Sequence, residues 1–299
     1  MNRLLLTLLI AANLILMGGC HGTADSAADS GTGDSSTAYI QNVGSDTMVN
    51  LALFWAERYQ ELFPQISISV TGGGSGTGLA SLTNGTIDIA NASRQIKESE
   101  IEQAEENGFT PFEIIVARDA IGVIVHPDNP INELSIEQIS QIYQGEINNW
   151  HELGGEDRPI VRLSRETNSG THVYFLETVI RMGSKEDSSI FSADTLLLPS
   201  SEVIIAEVRD NPNAIGYDGL GYITPEVKMI AISSAPGVPF VLPSVETVSD
   251  GSYPISRYLY MYTRGKPEGI ILDYLEWLNS EDAQEIVSEL GFVPISGAP

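Results

Sequence analysis

Cysteine, histidine and positive charge are scarce in this chain. One Cys and four His among 299 residues are too few for a disulfide framework, an iron–sulfur site or a cysteine zinc site, so we expect no metal and no cofactor. Only 15 Lys and Arg residues stand against 40 Asp and Glu, which gives a formal net charge of −25. This charge argues against nucleic acid as a partner, because neutralising phosphates requires a basic face.

Apolar residues, in contrast, are plentiful and regularly spaced. They make up 42% of the chain against 18% charged residues, enough for a sizeable core in one large or two medium domains. Short apolar runs alternate with amphipathic helical patterns, which predicts an α/β fold. The predicted elements include two paired strands at residues 112–116 and 121–125, then a break at residues 127–130 where we expect a crossing between lobes. Ser135 and Gln138 predict a capping box at the start of a helix.

The amino terminus has the layout of an export signal. Arg3 is followed by an apolar run over residues 4–17 and then by Gly-Gly-Cys. The run is shorter than the roughly 20 residues that a membrane-spanning helix needs. The Gly-Gly-Cys ending resembles the lipobox of bacterial lipoproteins, which implies a signal peptide at residues 1–19 and a lipid on Cys20. The alternative is that Cys20 is a free or buried cysteine.

The segment after this cysteine is predicted to be a disordered tether at residues 20–38. From His21 onward it consists mainly of Gly, Ser, Thr, Ala and Asp, with no large aliphatic residue before Tyr39. Such a composition cannot bury enough surface to offset its ordering entropy. The alternative is an ordered arm that packs on the domain.

Three short segments share one arrangement, in which a predicted strand ends, glycine or hydroxyl residues follow, and a helix begins. They are Gly-Ser-Asp-Thr at residues 44–47, Gly-Ser-Gly-Thr-Gly at residues 74–78 and Asn-Ser-Gly-Thr at residues 168–171. Unpaired backbone N–H groups and the positive end of the helix dipole suit such places to an anion. Glycine there lets the backbone approach a ligand closely.

Arg165 lies four residues before Ser169, close enough for its guanidinium to reach the same ligand. Arginine binds tetrahedral oxyanions through two N–H groups at once. The net charge of −25 repels an anion, but screening over about 8 Å weakens that repulsion. Local hydrogen bonds to a charged group contribute about 1.5–3 kcal/mol each. The pattern therefore predicts a small, nearly desolvated anion held by one charged donor and several neutral ones.

Each of these features has a simpler interpretation. Ser45 and Ser169 can serve as helix N-caps, the glycine run can be a flexible turn, and Arg165 can form an ion pair with Glu166. The glycine run is neither a Walker A loop nor a Gly-x-Ser-x-Gly elbow, because no Gly-Lys-Ser/Thr follows and Thr77 takes the last elbow position. The recurrence of the arrangement at three places favours the anion site.

The ordered set of motifs resembles the phosphate-binding subunit of bacterial phosphate ABC transporters, and the likeness extends from about residue 39 to residue 295. It rests on Gly-Ser-Asp-Thr-Met (44–48), Gly-Ser-Gly-Thr-Gly (74–78), residues 88–94, 142–150 and 165–171, Ala-Ile-Gly-Tyr (214–217) and Tyr-Pro-Ile-Ser-Arg (253–257). The resemblance implies a type II periplasmic-binding-protein fold, in which two α/β lobes are joined by a two-strand hinge. The implied lobes are residues 39–127 with 245–299, and residues 128–244.

The resemblance also implies the site and the partners. Inorganic phosphate would be the ligand, ABC transporter permease subunits the protein partner, and the membrane would be reached through the lipid anchor. We expect a monomer that performs no reaction. The implied phosphate-binding residues are Ser45, Thr47, Ser75 and Ser93 in the first lobe and Arg165, Ser169, Gly170 and Thr171 in the second.

The sequence departs from the family at two acidic positions. Many members carry an acid near Ser93 and another two residues after the arginine, where this chain has Thr167. In the family, such an acid accepts the proton of hydrogen phosphate. Fully ionised sulfate has no proton to give, so the acid distinguishes the two anions. Asp46 is either the substitute acceptor or a helix-start charge outside the pocket.

Other functions remain open on the sequence. One is a receptor for sulfate, molybdate or an organic phosphate. Another is a secreted phosphatase or serine hydrolase with Ser75 or Ser169 as nucleophile, although neither serine has a recognisable base, and His172 is too close to Ser169 along a helix start to form a usual catalytic pair. A third is an adhesive or signalling lipoprotein that has lost the pocket. We predict a structural role for His126 and His172.

Overall fold

Strands and helices alternate along residues 38–295, the part of the chain that the computed structural model describes. The strands are β1 Ala38–Gly44, β2 Ile66–Thr71, β3 Ile89–Ala92, β4 Pro111–Val125, β5 Glu133–Ser135, β6 Val161–Arg165, β7 Leu196–Leu198, β8 Ala214–Gly219, β9 Lys228–Met229, β10 Ala231–Ser233 and β11 Ser256–Arg264. The helices are α1 Val49–Leu62, α2 Ser75–Thr83, α3 Glu98–Glu106, α4 Ile136–Gln144, α5 Gly170–Phe175, α6 Ser201–Asp210, α7 Val245–Ser249, α8 Gly269–Trp277 and α9 Glu281–Glu289. The predicted signal peptide and Cys20 lie outside the described residues, as does the predicted tether up to residue 37.

The main sheet has the strand order β2-β1-β3-β11-β4-β8-β6-β7, with β9 beside β4. Strands β1, β2 and β3 run parallel, and so do β8, β6 and β7. Strands β11 and β4 lie between these two groups and pair antiparallel with each other and with their outer neighbours. Parallel groups are covered by helices on their faces, as the predicted α/β class requires, and that class is confirmed.

The long strand β4 corrects one prediction. The segments 112–116 and 121–125, predicted to be two paired strands, are parts of the single strand Pro111–Val125. Its first part pairs with β11 up to Ala120, and from Ile121 onward it pairs with β8. No Gly or Pro separates the two apolar segments, so nothing turns the chain there. The chain therefore passes from one half of the sheet to the other inside β4.

Each half of the sheet has its own hydrophobic core. Trp55, Leu259 and Tyr274 belong to the core of the first half. The core of the second half includes Tyr143 and Trp150, which are both buried. Two α/β lobes joined by β4 and β11 form the predicted type II fold. The exact lobe bounds stay a prediction.

The local start of α4 follows the sequence closely. The Oγ of Ser135 accepts from the Gln138 N–H at 3.1 Å, and the Gln138 side chain accepts from the Ser135 N–H at 2.9 Å. The capping box is therefore confirmed. Among the helices of residues 38–295, none combines the length and the apolar character that crossing a bilayer demands.

Candidate functional site

The three glycine and hydroxyl segments meet where the two halves of the sheet adjoin. The Gly74 N–H donates to the Gly44 carbonyl at 2.9 Å, which ties the first two segments together. The Gly76 N–H donates to the Asn168 carbonyl at 3.0 Å, which brings in the third segment from the other half. At Gly74, φ is +90° and an added Cβ would lie 2.8 Å from the Asn168 carbonyl oxygen, so only glycine fits there. The structure therefore brings the three segments together.

Three serine hydroxyls from the first half lie in one buried cluster. Ser45 follows β1, Ser75 begins α2 and Ser93 follows β3, so each strand or helix end brings one hydroxyl to the same place. The Ser45 hydroxyl donates to Ser93 Oγ at 2.9 Å, and the Oγ atoms of Ser75 and Ser93 are 3.3 Å apart. The Ser93 N–H donates to Ser75 Oγ at 3.0 Å. These hydroxyls are held by one another at the junction.

The N-terminus of α5 faces this cluster from the second half. A Cβ added to Gly170 would lie 2.4 Å from Ser75 Oγ and 2.5 Å from Ser93 Oγ. The backbone of Gly170 therefore lies directly against the serine hydroxyls, and a side chain would separate them. Ser169 Oγ accepts from the Thr171 N–H at 3.2 Å, as an N-cap does. Ser45, in contrast, makes no capping bond and points to Ser93 instead.

Two threonines also meet across the junction. The Oγ1 atoms of Thr47 and Thr171 are 2.8 Å apart, although the residues are 124 positions apart in the chain. Both side chains are buried. All eight residues predicted for the site therefore lie around one junction, with Thr47 and Thr171 forming a second contact beside the serine cluster.

Arg165 lies at the end of β6 and is 1% exposed. Its Nη2 donates to Asp46 Oδ2 at 2.7 Å, so its acidic partner is Asp46 of the first half rather than Glu166. Nη2 also donates to the Pro199 carbonyl at 3.0 Å, and Nη1 donates to Ser201 Oγ at 3.0 Å. Within residues 38–295, Nε has no hydrogen-bond partner. The guanidinium is thus held by three hydrogen bonds, and its Nε–H is left without an acceptor in this part of the chain.

Asp46 lies directly beside Arg165. One carboxylate oxygen binds Arg165, and the other accepts from the Gly73 N–H at 2.8 Å. The Asp46 carbonyl accepts from the Tyr222 hydroxyl at 2.8 Å, which anchors the same turn to the second half. A carboxylate therefore stands directly beside the charged donor.

Two further acids were missed by the sequence reasoning. Asp218, at the end of β8, lies 3.7 Å from Arg165 Nη1 and accepts from the Ser201 hydroxyl at 3.0 Å. Asp119, inside β4, accepts from Arg257. Both carboxyls are fully buried, and burial raises the pKa of each of them although an arginine opposes the shift. Both acids lie within strands and not in the loops that follow strands, so no local sequence pattern predicts them as site residues.

Arg257 is a second buried arginine at the junction. Its Nη2 donates to Asp119 Oδ2 at 2.8 Å and to Thr171 Oγ1 at 3.0 Å. Arg257 is the last residue of the Tyr-Pro-Ile-Ser-Arg motif. The family resemblance therefore included this residue but did not assign it to the binding site. Strand β11 places it at the junction.

His172 takes a structural position, as predicted. Its Nδ1 lies 3.0 Å from Ser164 Oγ, and its ring stacks on Phe191 at 4.5 Å between centroids. Burial lowers the pKa of His172, which favours the neutral ring. His172 is therefore hydrogen-bonded to Ser164 and not to Ser169, three residues before it.

Comparisons with known proteins agree with this arrangement. Residues 26–282 match the PBP superfamily domain. A Pseudomonas aeruginosa protein named phosphate-binding protein PstS is 32% identical over 273 residues, which cover 86% of this chain and 83% of the relative. The Bacillus subtilis protein of the same name is 31% identical over 300 residues, covering 99% of this chain and 95% of the relative.

Solved structures give the same result. A Clostridium perfringens protein, assigned as a phosphate ABC transporter substrate-binding protein and solved with bound phosphate, superposes with a TM-score of 0.76 at 30% identity, over 86% of this chain and 100% of that one. An ABC-type phosphate transport receptor from Vibrio cholerae superposes with a TM-score of 0.68 at 28% identity, with the same coverage of 86% and 100%. Fold and site together define a two-lobed solute-binding protein. The chain belongs to the PBP superfamily and, within it, to the PstS family of phosphate-binding proteins.

Proposed function

We propose that this protein is an extracytoplasmic receptor that captures inorganic phosphate between its two lobes and delivers it to an ABC transporter permease. The observation that carries the proposal is the convergence of buried hydroxyls, a glycine backbone and an arginine from both halves of the sheet on one junction. Such a set of donors binds a small tetrahedral anion and performs no bond cleavage.

The donors divide between the lobes. From the first lobe the hydroxyls of Ser45, Thr47, Ser75 and Ser93 reach the anion, and from the second lobe Arg165, Ser169, Gly170 and Thr171 do so. The hydroxyls of Ser45, Ser75 and Ser93 bond to one another, and these contacts are exchanged for bonds to phosphate oxygens on binding. Roughly five or six bonds to a charged ligand, at about 1.5–3 kcal/mol each, support micromolar or tighter binding after the cost of association is subtracted.

Asp46 supports phosphate over sulfate as the ligand. The family's usual acids are replaced by Ser93 and Thr167 in this chain, whereas the Asp46 carboxylate lies 2.7 Å from Arg165 Nη2. An anion that shares this guanidinium meets the carboxylate as well. Hydrogen phosphate can donate its proton to Asp46, but fully ionised sulfate or molybdate has no proton to give and is repelled.

Export and anchoring complete the proposal. The signal at residues 1–19 directs export, and Cys20 carries the lipid that holds the monomeric receptor at the outer face of the cell membrane. Cells producing the wild-type chain and the Cys20→Ser variant test this step. We expect the wild-type protein to partition into detergent and the variant to be released; equal partition of the two would contradict lipid attachment.

Calorimetric titration of the phosphate-stripped protein tests the ligand. We expect one phosphate per chain, competition by arsenate, and sulfate affinity at least a hundredfold weaker. Sulfate binding as tight as phosphate binding would remove the phosphate assignment. Hydrolysis of a chromogenic phosphate ester by the pure protein would instead support the phosphatase alternative.

A further inference from the structure

Arg257 and Asp119 face each other on the two strands that join the halves of the sheet. In the antiparallel pairing of β11 with β4, these two residues are direct partners in the register. Asp119 Oδ2 accepts from Arg257 Nη2 at 2.8 Å and from Nε at 3.2 Å. Both side chains are buried, with Arg257 6% and Asp119 0% exposed. The guanidinium is therefore fixed relative to the joining strands.

The same guanidinium contacts one proposed phosphate donor from each lobe. Its Nη2 lies 3.0 Å from Thr171 Oγ1 in α5 and 3.4 Å from Thr47 Oγ1 in the turn before α1. The two threonine oxygens are 2.8 Å apart. A single group on the joining strands thus connects with both lobes at the place where they meet.

In the contact between Arg257 and Thr171, the arginine is the donor and the threonine oxygen is the acceptor. A threonine hydroxyl has one proton and two acceptor lone pairs. When Arg257 donates to Thr171 Oγ1, it occupies a lone pair and leaves the hydroxyl proton free to point elsewhere. Donation from a charged group also polarises the O–H bond, which makes the hydroxyl a stronger donor to an anion.

We propose that Arg257 is a positioning residue for the phosphate site, which holds Thr47 and Thr171 together in the closed protein and orients their hydroxyl protons toward the anion. The inference rests on the proposed phosphate-binding function. Arg257 acts on the closed state, because its two threonine contacts exist together only when the lobes meet. Its removal therefore accelerates phosphate dissociation and favours the open state, while association changes little.

The test uses variants that avoid an unpaired buried carboxylate. The double variant Arg257→Met with Asp119→Asn removes both charges, and Arg257→Lys keeps the charge but not the planar set of donors. The control is Arg264→Met, which removes an exposed arginine from the other end of β11. Rapid-mixing measurements give the two rate constants for phosphate, and circular dichroism checks that each variant is folded.

Lobe closure is followed independently of phosphate binding. Spin labels on cysteines introduced at Glu102 of α3 and at Lys185 in the second half, in a Cys20→Ser background, report the distance between the lobes with and without phosphate. We expect at least tenfold faster dissociation in the double variant, association within threefold of wild type, and a shift toward longer label distances. Arg257→Lys should give intermediate values, and Arg264→Met should match wild type.

A double-mutant cycle separates positioning from simple stabilisation. If Arg257 orients the Thr171 hydroxyl, Thr171→Val weakens phosphate binding less in the double variant than in the wild-type background. A folded double variant with unchanged dissociation rate and unchanged label distances would overturn the proposal. If the double variant fails to fold, the phosphate dissociation rate and the label distances of Arg257→Lys test the proposal instead. If the wild-type protein fails to bind phosphate, the proposed function is wrong, and the label distances of the ligand-free proteins alone decide the role of Arg257.

Discussion

Asp46 and Arg165 form a partly buried ion pair between the two lobes, with Oδ2 of the acid 2.7 Å from Nη2 of the arginine. The acid stands in the turn after β1, and the arginine ends β6, so the pair joins two segments 119 positions apart. Together with the bonds to Ser201 and Pro199, the ion pair fixes the orientation of the guanidinium. Because the acid partly offsets the arginine charge, we expect most of the free energy of phosphate binding at the proposed site to come from the hydroxyl and backbone donors.

Replacing Arg165 with Met is expected to weaken phosphate binding at least about tenfold, which corresponds to about 1.4 kcal/mol. The change removes the guanidinium that is proposed to bind the anion. It also leaves the Asp46 carboxylate without its arginine partner. Calorimetric titration measures the loss. Arg209→Met is the matched control, because Arg209 pairs with Asp210 at the surface away from the junction. Unchanged affinity in a folded Arg165 variant would rule out the role assigned to this residue.

Replacing Gly170 with Ala tests the close approach of the two lobes. The added Cβ would lie 2.4 Å from Ser75 Oγ and 2.5 Å from Ser93 Oγ, so closure onto the anion is obstructed. The residue starts α5, where Ala is a better helix former than Gly. We therefore expect phosphate affinity to fall at least about a hundredfold, roughly 2.7 kcal/mol.

The ligand-free melting temperature serves as the control for Gly170→Ala, since loss of folding would also abolish binding. We expect it to change by less than about 5 °C. Wild-type affinity in this variant would show that the Gly170 backbone does not approach the anion.

The loops of the candidate site could be predicted from the sequence, whereas its buried charged residues could not. The three glycine and hydroxyl segments carry a local pattern that favours anion binding, so they could be selected from the sequence as parts of one candidate site. Asp119 and Arg257 could not be paired in advance, because their contact depends on the register of β4 against β11. The paired-strand prediction for β4 was wrong because no Gly or Pro turns the chain between residues 116 and 121, so the two apolar segments continue as one strand.

Asp218 should make the stability of the protein depend on pH. Burial raises the pKa of Asp218 above its unfolded value of about 3.9. Between these two pKa values the native state binds more protons than the unfolded state, so the contribution of this group to stability is full below about pH 4 and is lost as pH rises through the native pKa.

Asp218→Asn removes this titration and keeps an acceptor for the Ser201 hydroxyl. We expect the stability of the variant relative to wild type to increase as pH rises above about 4. Urea unfolding between pH 4.5 and 8 measures the difference, with Asp210→Asn at the surface as control. A difference that stays constant with pH would show that the Asp218 pKa is not raised in the native state.

Asp46→Asn tests how the site distinguishes its ligand. In the proposed site the carboxylate beside Arg165 accepts a hydrogen bond from hydrogen phosphate but repels fully ionised sulfate. Its amide lacks the charge and can donate to either anion. We therefore expect the ratio of phosphate to sulfate affinity, measured by calorimetry, to fall at least about tenfold. Asp128→Asn at the surface is the control, because its side chain is 91% exposed. If the Asp46 variant keeps the wild-type ratio, the discrimination resides in the shape and hydroxyl pattern of the site, and the carboxylate serves only to hold Arg165.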